Sequence, residues 1–223
     1  MMRDLEILHT PSPNFGPRRD DATPSLIVLH YTAMGSAEAA LERLCDPEFE
    51  VSAHYLITAQ GQPHQLVDEQ HRAWHAGAGQ WQGITDVNSH SIGIELDNLG
   101  NHPFAHPQIE TLILLLRQIM QRWQIPPQNV IAHADMAPDR KSDPGPRFDW
   151  QRLAREGLSV WPNPMPGPHQ DWRTEATGFG YPENAAALSA FRARFRPWHK
   201  GPADAEDARC LAQLHLAKNT QRS

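Results

Sequence analysis

Between Pro107 and Trp123 the apolar residues Ile109, Leu112, Ile113, Leu116, Ile119, Met120 and Trp123 recur at helical spacing and predict an amphipathic helix. Pro107 suits its first turn, and Pro126-Pro127 end it. The period shortens elsewhere. Leu26–Tyr31 is a continuous apolar run closed by His30 and Tyr31 and reads as a buried strand. Ser91–Leu96 alternates, with Ile92, Ile94 and Leu96 on one face and Gly93 and Glu95 on the other. Ser36–Leu44 reads as a helix capped by Ser36. Ser52–Thr58 and His64–Val67 flank the turn around Gly61 and predict a hairpin. Val130–Ala132 is a further strand, and Asp149–Arg155 a helix stopped by Gly157. Hairpin and helix-linked strands in this order predict an α/β fold, a mixed central β-sheet flanked by helices.

The two ends differ from this middle. The first 25 residues are rich in Pro, Asp and Arg and read as an extended arm. Trp161–Pro168 is too proline-rich to continue regular structure and reads as a linker. Beyond it, Glu183–Phe195 and Ala203–Ala217 predict two amphipathic helices, too small a unit to be stable unless they dock on the main domain. The expected division is 1–160, a linker at 161–168, and a small helical region at 169–223.

Composition narrows the function classes. In 223 residues, 39% hydrophobic and 21% charged content fits a folded globular chain. A net charge of −6 argues against a nucleic-acid partner, which needs a basic stripe. The longest apolar run, Leu112 to Leu116, is too short to span a bilayer, so no membrane association is expected. Cys45 and Cys210 form no disulfide framework and suit a reducing compartment. The opening Met1-Met2-Arg3-Asp4-Leu5-Glu6 carries early acids and no apolar segment, which points to the cytoplasm; export would need a signal absent here. Thirteen histidines raise the prior for metal chemistry.

The densest chemistry lies in Val130–Gly145, where His133, Lys141 and Asp143 follow a strand within eleven residues. His30 closes the other apolar strand. Two imidazoles and one carboxylate are the ligand set of an open catalytic zinc site, and the ends of α/β strands are where ligands bind. Each residue alone has a plainer reading: a core histidine for His30 and His133, a turn former for Asp143. Glu95 is either a general base or a salt-bridge partner of Lys141 or an arginine. Lys141 either faces a developing oxyanion or is an exposed lysine in a charged turn. The segment His71-Arg72-Ala73-Trp74-His75-Ala76-Gly77 either contacts a sugar or carboxylate or is a surface loop around a buried tryptophan. His54 either lines the cleft or belongs to the core. Two histidines and an acid also suit iron, but nothing signals a second substrate for oxygen chemistry.

The blocks Val28-Leu29-His30-Tyr31-Thr32-Ala33, Ser52-Ala53-His54-Tyr55-Leu56-Ile57, Arg72–Gly77, Ser91–Glu95 and His133 through Arg140-Lys141-Ser142-Asp143-Pro144-Gly145 together resemble the zinc-dependent N-acetylmuramoyl-L-alanine amidases of the type-2 amidase family. That family is related to peptidoglycan recognition proteins and a phage lysozyme. The resemblance covers about residues 14–155. It implies one Zn2+ on His30, His133 and Asp143, and a catalytic pair in Glu95 and Lys141. It also implies substrate contacts at His54, Arg72, Trp74 and His75. An aspartate as third ligand resembles the bacterial muropeptide amidases; the phage branch has cysteine there. The implied reaction is attack of water on the amide between N-acetylmuramic acid, intact or 1,6-anhydro, and L-alanine, with muropeptides of cell-wall recycling as partners and a monomer favoured. The C-terminal helices resemble, more faintly, a small peptidoglycan-binding domain. Two other functions compete: a recognition protein that binds muropeptide without cutting it, and a lytic amidase acting on intact wall. Non-catalytic relatives lose a zinc ligand, and all three candidates are present here.

Overall fold

The computed structural model describes residues 5–163 and 168–220; the opening tetrapeptide and the middle of the proline-rich linker lie outside the described residues. The strands are β1 (Leu8–His9), β2 (Phe15–Pro17), β3 (Leu26–Tyr31), β4 (Tyr55–Ile57), β5 (Pro63–Gln65), β6 (His71–Ala73), β7 (Ser91–Leu96) and β8 (Val130–Ala132). The helices are α1 (Ala37–Cys45), α2 (Val87–His90), α3 (His106–Trp123), α4 (His133–Met136), α5 (Trp150–Arg155), α6 (Trp172–Phe179), α7 (Ala187–Phe195) and α8 (Ala205–Thr220).

Six strands form one sheet in the order β1-β5-β4-β7-β3-β8. Only β4 and β5 pair antiparallel, as the hairpin; the other neighbours run parallel, so the sheet is mixed as expected. The N-terminal segment is extended, but it is not a free arm. β1 adds a parallel strand to β5, and β2 pairs with β6 in a small second sheet. Arg18 then turns inward and donates to the carbonyls of Glu69, Asn88, Ser89 and Ser91.

α3 covers one face of the sheet with Leu112, Leu115, Leu116 and Ile119, all fully buried against β3, β4, β7 and β8. α1 covers the other side, where Ala37, Ala40 and Leu44 pack on Leu56 and Leu66. Strand alternation sorts the partners: Tyr55 and Ile57 join the α3 cluster while Leu56 points at α1. Ser36 caps α1 by accepting from the Ala39 N–H, as its position predicted.

The helices after residue 168 continue the same core. Phe179, Tyr181, Phe191, Phe195 and Leu211 share one hydrophobic cluster with Trp81, Trp150 and the strands. α6 was not foreseen, because Gly178 and only three apolar residues blur its period. Its N-terminus is nonetheless encoded, since Asp171 accepts from the N–H groups of Arg173 and Thr174.

Candidate active site

β3, β7 and β8 are parallel neighbours, so their carboxyl ends lie side by side. His30 pairs in register with Glu95 across β3 and β7, which puts both side chains on one face. β8 ends at Ala132, and His133 opens α4 directly after it. Asp143 is brought back by the turn that follows: Ala134 N–H donates to the Asp143 carbonyl, and Lys141 N–H to the Ala137 carbonyl. The Tyr31 and Ser142 hydroxyls, 2.9 Å apart, close the turn onto β3.

His30 Nδ1 lies 2.9 Å from His133 Nδ1, and each is 3.0 Å from Asp143 Oδ2. All three residues are buried. They are the one group among the described residues whose geometry suits a metal ion. The outer nitrogens fix the protons. His133 Nε2 is 2.9 Å from the Ala76 carbonyl, which only accepts, so Nε2 carries the hydrogen and Nδ1 is bare. The His30 tautomer is set through two neighbours. Ser91 donates its hydroxyl hydrogen to the Val87 carbonyl and therefore accepts from His75 Nε2–H. His75 Nδ1 is then bare and accepts from His30 Nε2–H at 3.0 Å, leaving His30 Nδ1 bare as well.

Two lone pairs and a carboxylate oxygen thus converge with no proton between them, an arrangement that calls for a cation. Tetrahedral zinc, with bonds of about 2.0–2.1 Å, spaces its ligands roughly 3.3 Å apart, near the observed triangle. Protonation agrees with the donor set. Burial and the nearby His133 lower His30 to about 4 despite Asp143, so the imidazole is neutral. For Asp143 burial acts upward, but the adjoining His133 and His30 outweigh it and keep the carboxylate ionised.

The triad opens into a cleft of about 380 Å³ whose walls include Glu95, Lys141, Trp74, Arg43 and Met34. Glu95 is half-buried, and its Oε2 is covered without a hydrogen-bond partner. Burial pushes its pKa up to about 8, Asp143 adds to this, and the Lys141 ammonium opposes it. A cation on the triad would act in the same direction as Lys141. Such a carboxyl can both take and return a proton near neutrality. Among the described residues Glu95 makes no salt bridge, and Lys141 is exposed at the rim with its charge felt by Glu95 and His30.

The residues expected to contact substrate divide. Trp74 lines the cleft. His75 also borders it, but both its ring nitrogens are committed to His30 and Ser91. The room left by Gly93 is filled by the His75 imidazole rather than by a ligand. His54 is a correction: it is fully buried and does not line the cleft. Its Nδ1 accepts from the Gly93 N–H and its Nε2–H faces the His71 carbonyl, so the ring stitches the start of β4 to β7. This also explains why β4 begins at Tyr55 and not Ser52. Burial, then the Arg18 charge, lower His54 to about 3 and keep it neutral. Arg72 pairs with the Asp86 carboxylate at 3.1 Å and lines a neighbouring groove that meets the cleft at Trp74.

Asn88 gave no signal in the sequence. Its Oδ1 accepts from the N–H groups of both His75 and Ala76, so one amide positions the partners of both His30 and His133.

A family model described as N-acetylmuramoyl-L-alanine amidase matches residues 20–146. N-acetylmuramoyl-L-alanine amidase AmiD of Escherichia coli is 39% identical, over 88% of this chain and 83% of its own length. The 1,6-anhydro-N-acetylmuramyl-L-alanine amidase AmpD of the same organism is 37% identical over 64% of this chain and 87% of its own. The solved complex of AmiD with anhydro-N-acetylmuramic acid-L-Ala-D-γ-Glu-L-Lys superposes with a TM-score of 0.79 at 37% identity, covering 91% of this chain and 93% of that one. AmpDh3 from Pseudomonas aeruginosa gives 0.79 at 31% identity, covering 93% and 95%. Matched in sequence over more than half its length and in fold over nearly all of it, the chain belongs to the type-2 N-acetylmuramoyl-L-alanine amidase family.

Proposed function

We propose that this amidase uses one zinc ion, held by His30, His133 and Asp143, to release L-alanine-linked stem peptides from N-acetylmuramic acid, intact or 1,6-anhydro, in fragments of peptidoglycan. The observation that carries the reading is the triangle of two bare Nδ1 atoms and one carboxylate oxygen beside a covered, unpartnered Glu95 oxygen. When bound, zinc would supply a Lewis acid for the amide carbonyl and lower the pKa of water. Glu95 takes the proton from the attacking water as the new C–O bond forms. It returns that proton to the alanine nitrogen as the C–N bond breaks, leaving a lactyl carboxylate and a free amine. Lys141 at the rim faces the negative charge that gathers on the carbonyl oxygen. Trp74 offers an aromatic wall for the sugar or the stem.

Anhydro-muropeptides are supported by the substrate named in the AmiD complex. The assembly on this reading is a monomer. The cytoplasm is the compartment on this reading, where the free thiols Cys45 and Cys210 stay reduced. Among the described residues no helix is long and apolar enough to cross a membrane. Zinc-loaded protein incubated with paired anhydro and intact muropeptides, followed by mass spectrometry, tests the reading. Free stem peptide and its complementary muramic acid are expected. Binding of both substrates with neither product would overturn it in favour of a recognition protein.

A further inference from the structure

β8 is an edge strand, paired only with β3 through Ile27, Val28 and Leu29. Within it, Val130 and Ala132 direct their backbone groups away from β3, since these alternate along a strand. An open edge of this kind leaves N–H and C=O groups unpaired and lets the strand fray. Here the outer edge is closed by side chains. The Asp135 carboxylate accepts from the Ala132 N–H at 2.9 Å, and Arg194 Nη2 donates to the Val130 carbonyl at 2.9 Å. The two side chains join through Arg194 Nη1 and Asp135 Oδ2 at 2.5 Å. Tyr181 donates its hydroxyl hydrogen to the other Asp135 oxygen at 2.7 Å. Arg194 and Asp135 therefore stand where the next strand would be.

Tyr181 follows α6 and Arg194 lies on α7, so this edge is closed from the C-terminal helices. The pair is an expensive way to gain stability. Both charges are almost wholly buried, and Arg194 Nε has no partner. The guanidinium lies over the ring of Trp150 with its carbon 4.3 Å from the centroid, which fixes its plane. Geometry rather than energy explains the arrangement, for the residue after Ala132 is His133.

We infer that the C-terminal helices complete the metal site, with Tyr181 and Arg194 acting as positioning residues that hold β8, and so His133, through Asp135. The inference rests on the reading above that the triad binds zinc. Residues that orient metal ligands typically change metal affinity by about 10–100-fold.

The test is zinc affinity of the full, metal-stripped chain, measured by competition with a chromophoric chelator, alongside thermal unfolding. Tyr181→Phe removes one hydroxyl and keeps the ring; Arg194→Met removes the fork. Each should weaken zinc binding about 10–100-fold, with Arg194→Lys recovering part of the loss. Leu211→Ala, in the same helical cluster but away from the clamp, should lower the melting temperature and leave zinc affinity unchanged. If Arg194→Met fails to fold, Tyr181→Phe carries the test. Wild-type affinity in folded Tyr181→Phe, or an equal loss in Leu211→Ala, would overturn the positioning role. A wild-type chain that takes up no zinc would instead overturn the metal reading itself, and the inference with it.

Discussion

His75 Nδ1 lies 3.0 Å from His30 Nε2, and this contact decides which nitrogen of His30 is bare. The proton order runs inward from a backbone carbonyl: Val87 accepts from Ser91, Ser91 from His75, His75 from His30. Burial and the neighbouring His30 hold His75 well below its usual pKa, so it remains a neutral acceptor. His75→Ala should therefore weaken zinc binding by about 10–100-fold while the fold persists. Ser91→Ala should give a smaller loss of the same sign, because His75 is then free to choose either tautomer. Chelator competition on both variants checks the order, and equal affinities in all three proteins would remove the relay from the argument.

Gly93 sits beneath that imidazole. A Cβ built there would lie 2.4 Å from His75 Cγ, and the ring cannot retreat because both its nitrogens are held. Gly93→Ala should cost about 1–3 kcal/mol in stability, the usual penalty for overpacking, and should reduce zinc affinity as well. Urea unfolding of the metal-free protein reads the first effect. A stability loss with unchanged zinc affinity would show that His75 can move without disturbing His30.

The triad was legible in the sequence because each member lies at or beyond the end of an element, on the side of the strands' carboxyl ends. His30 ends β3, His133 follows β8, and Asp143 sits in a Pro-Gly turn. Glu95 was legible from alternation alone, opposite the core-facing Ile92, Ile94 and Leu96. The supporting groups were not. Asn88, Arg18 and the Asp135–Arg194 pair act through long-range contacts from isolated positions, which leave no periodic trace in a chain. For His54 the family resemblance pointed to substrate, whereas the structure buries it against Gly93. A polar side chain in a matching block is thus as readily part of the scaffold as of the cleft.

Glu69 gives a pH-dependent test of that scaffold. It is buried and accepts from Tyr55, Arg122 and Trp123. Burial pushes its pKa up, but the hydrogen bonds and the Arg122 charge outweigh burial and lower it overall. A carboxylate depressed in the folded state stabilises the fold above its unfolded pKa, near 4.5, and loses that contribution as pH falls through the folded value. Glu69→Gln should cost about 1–3 kcal/mol at pH 7, mostly from the Tyr55 and Trp123 groups left poorly paired. The gap to wild type should narrow as pH drops below about 4.5. Urea titrations of both metal-free proteins from pH 7 to pH 3 check this. A gap that widens toward acid would reverse the sign of the argument.

Glu95 and Asp143 both border the cleft, yet on the proposed function their loss should be distinguishable, because one carboxylate would hold the ion and the other would move the proton. Asp143→Ala removes one of three ligands and should abolish metal uptake and turnover together. Glu95→Gln keeps the side chain's shape and all three ligands, so zinc binding should survive while kcat falls by about 10²–10⁴, the usual worth of a general acid–base group. Lys141→Ala should be the mildest of the three, with zinc retained and kcat reduced by about 10²–10³, as for a lost oxyanion donor. The pH profile separates the last two variants. On the proposed function the acid limb of the wild-type kcat profile should report deprotonation of Glu95, whose pKa burial raises and the Lys141 ammonium lowers. Removing Lys141 should therefore shift that limb to higher pH, and Glu95→Gln should erase it. An acid limb unmoved in Lys141→Ala would mean that the ammonium does not act on Glu95 in the loaded enzyme.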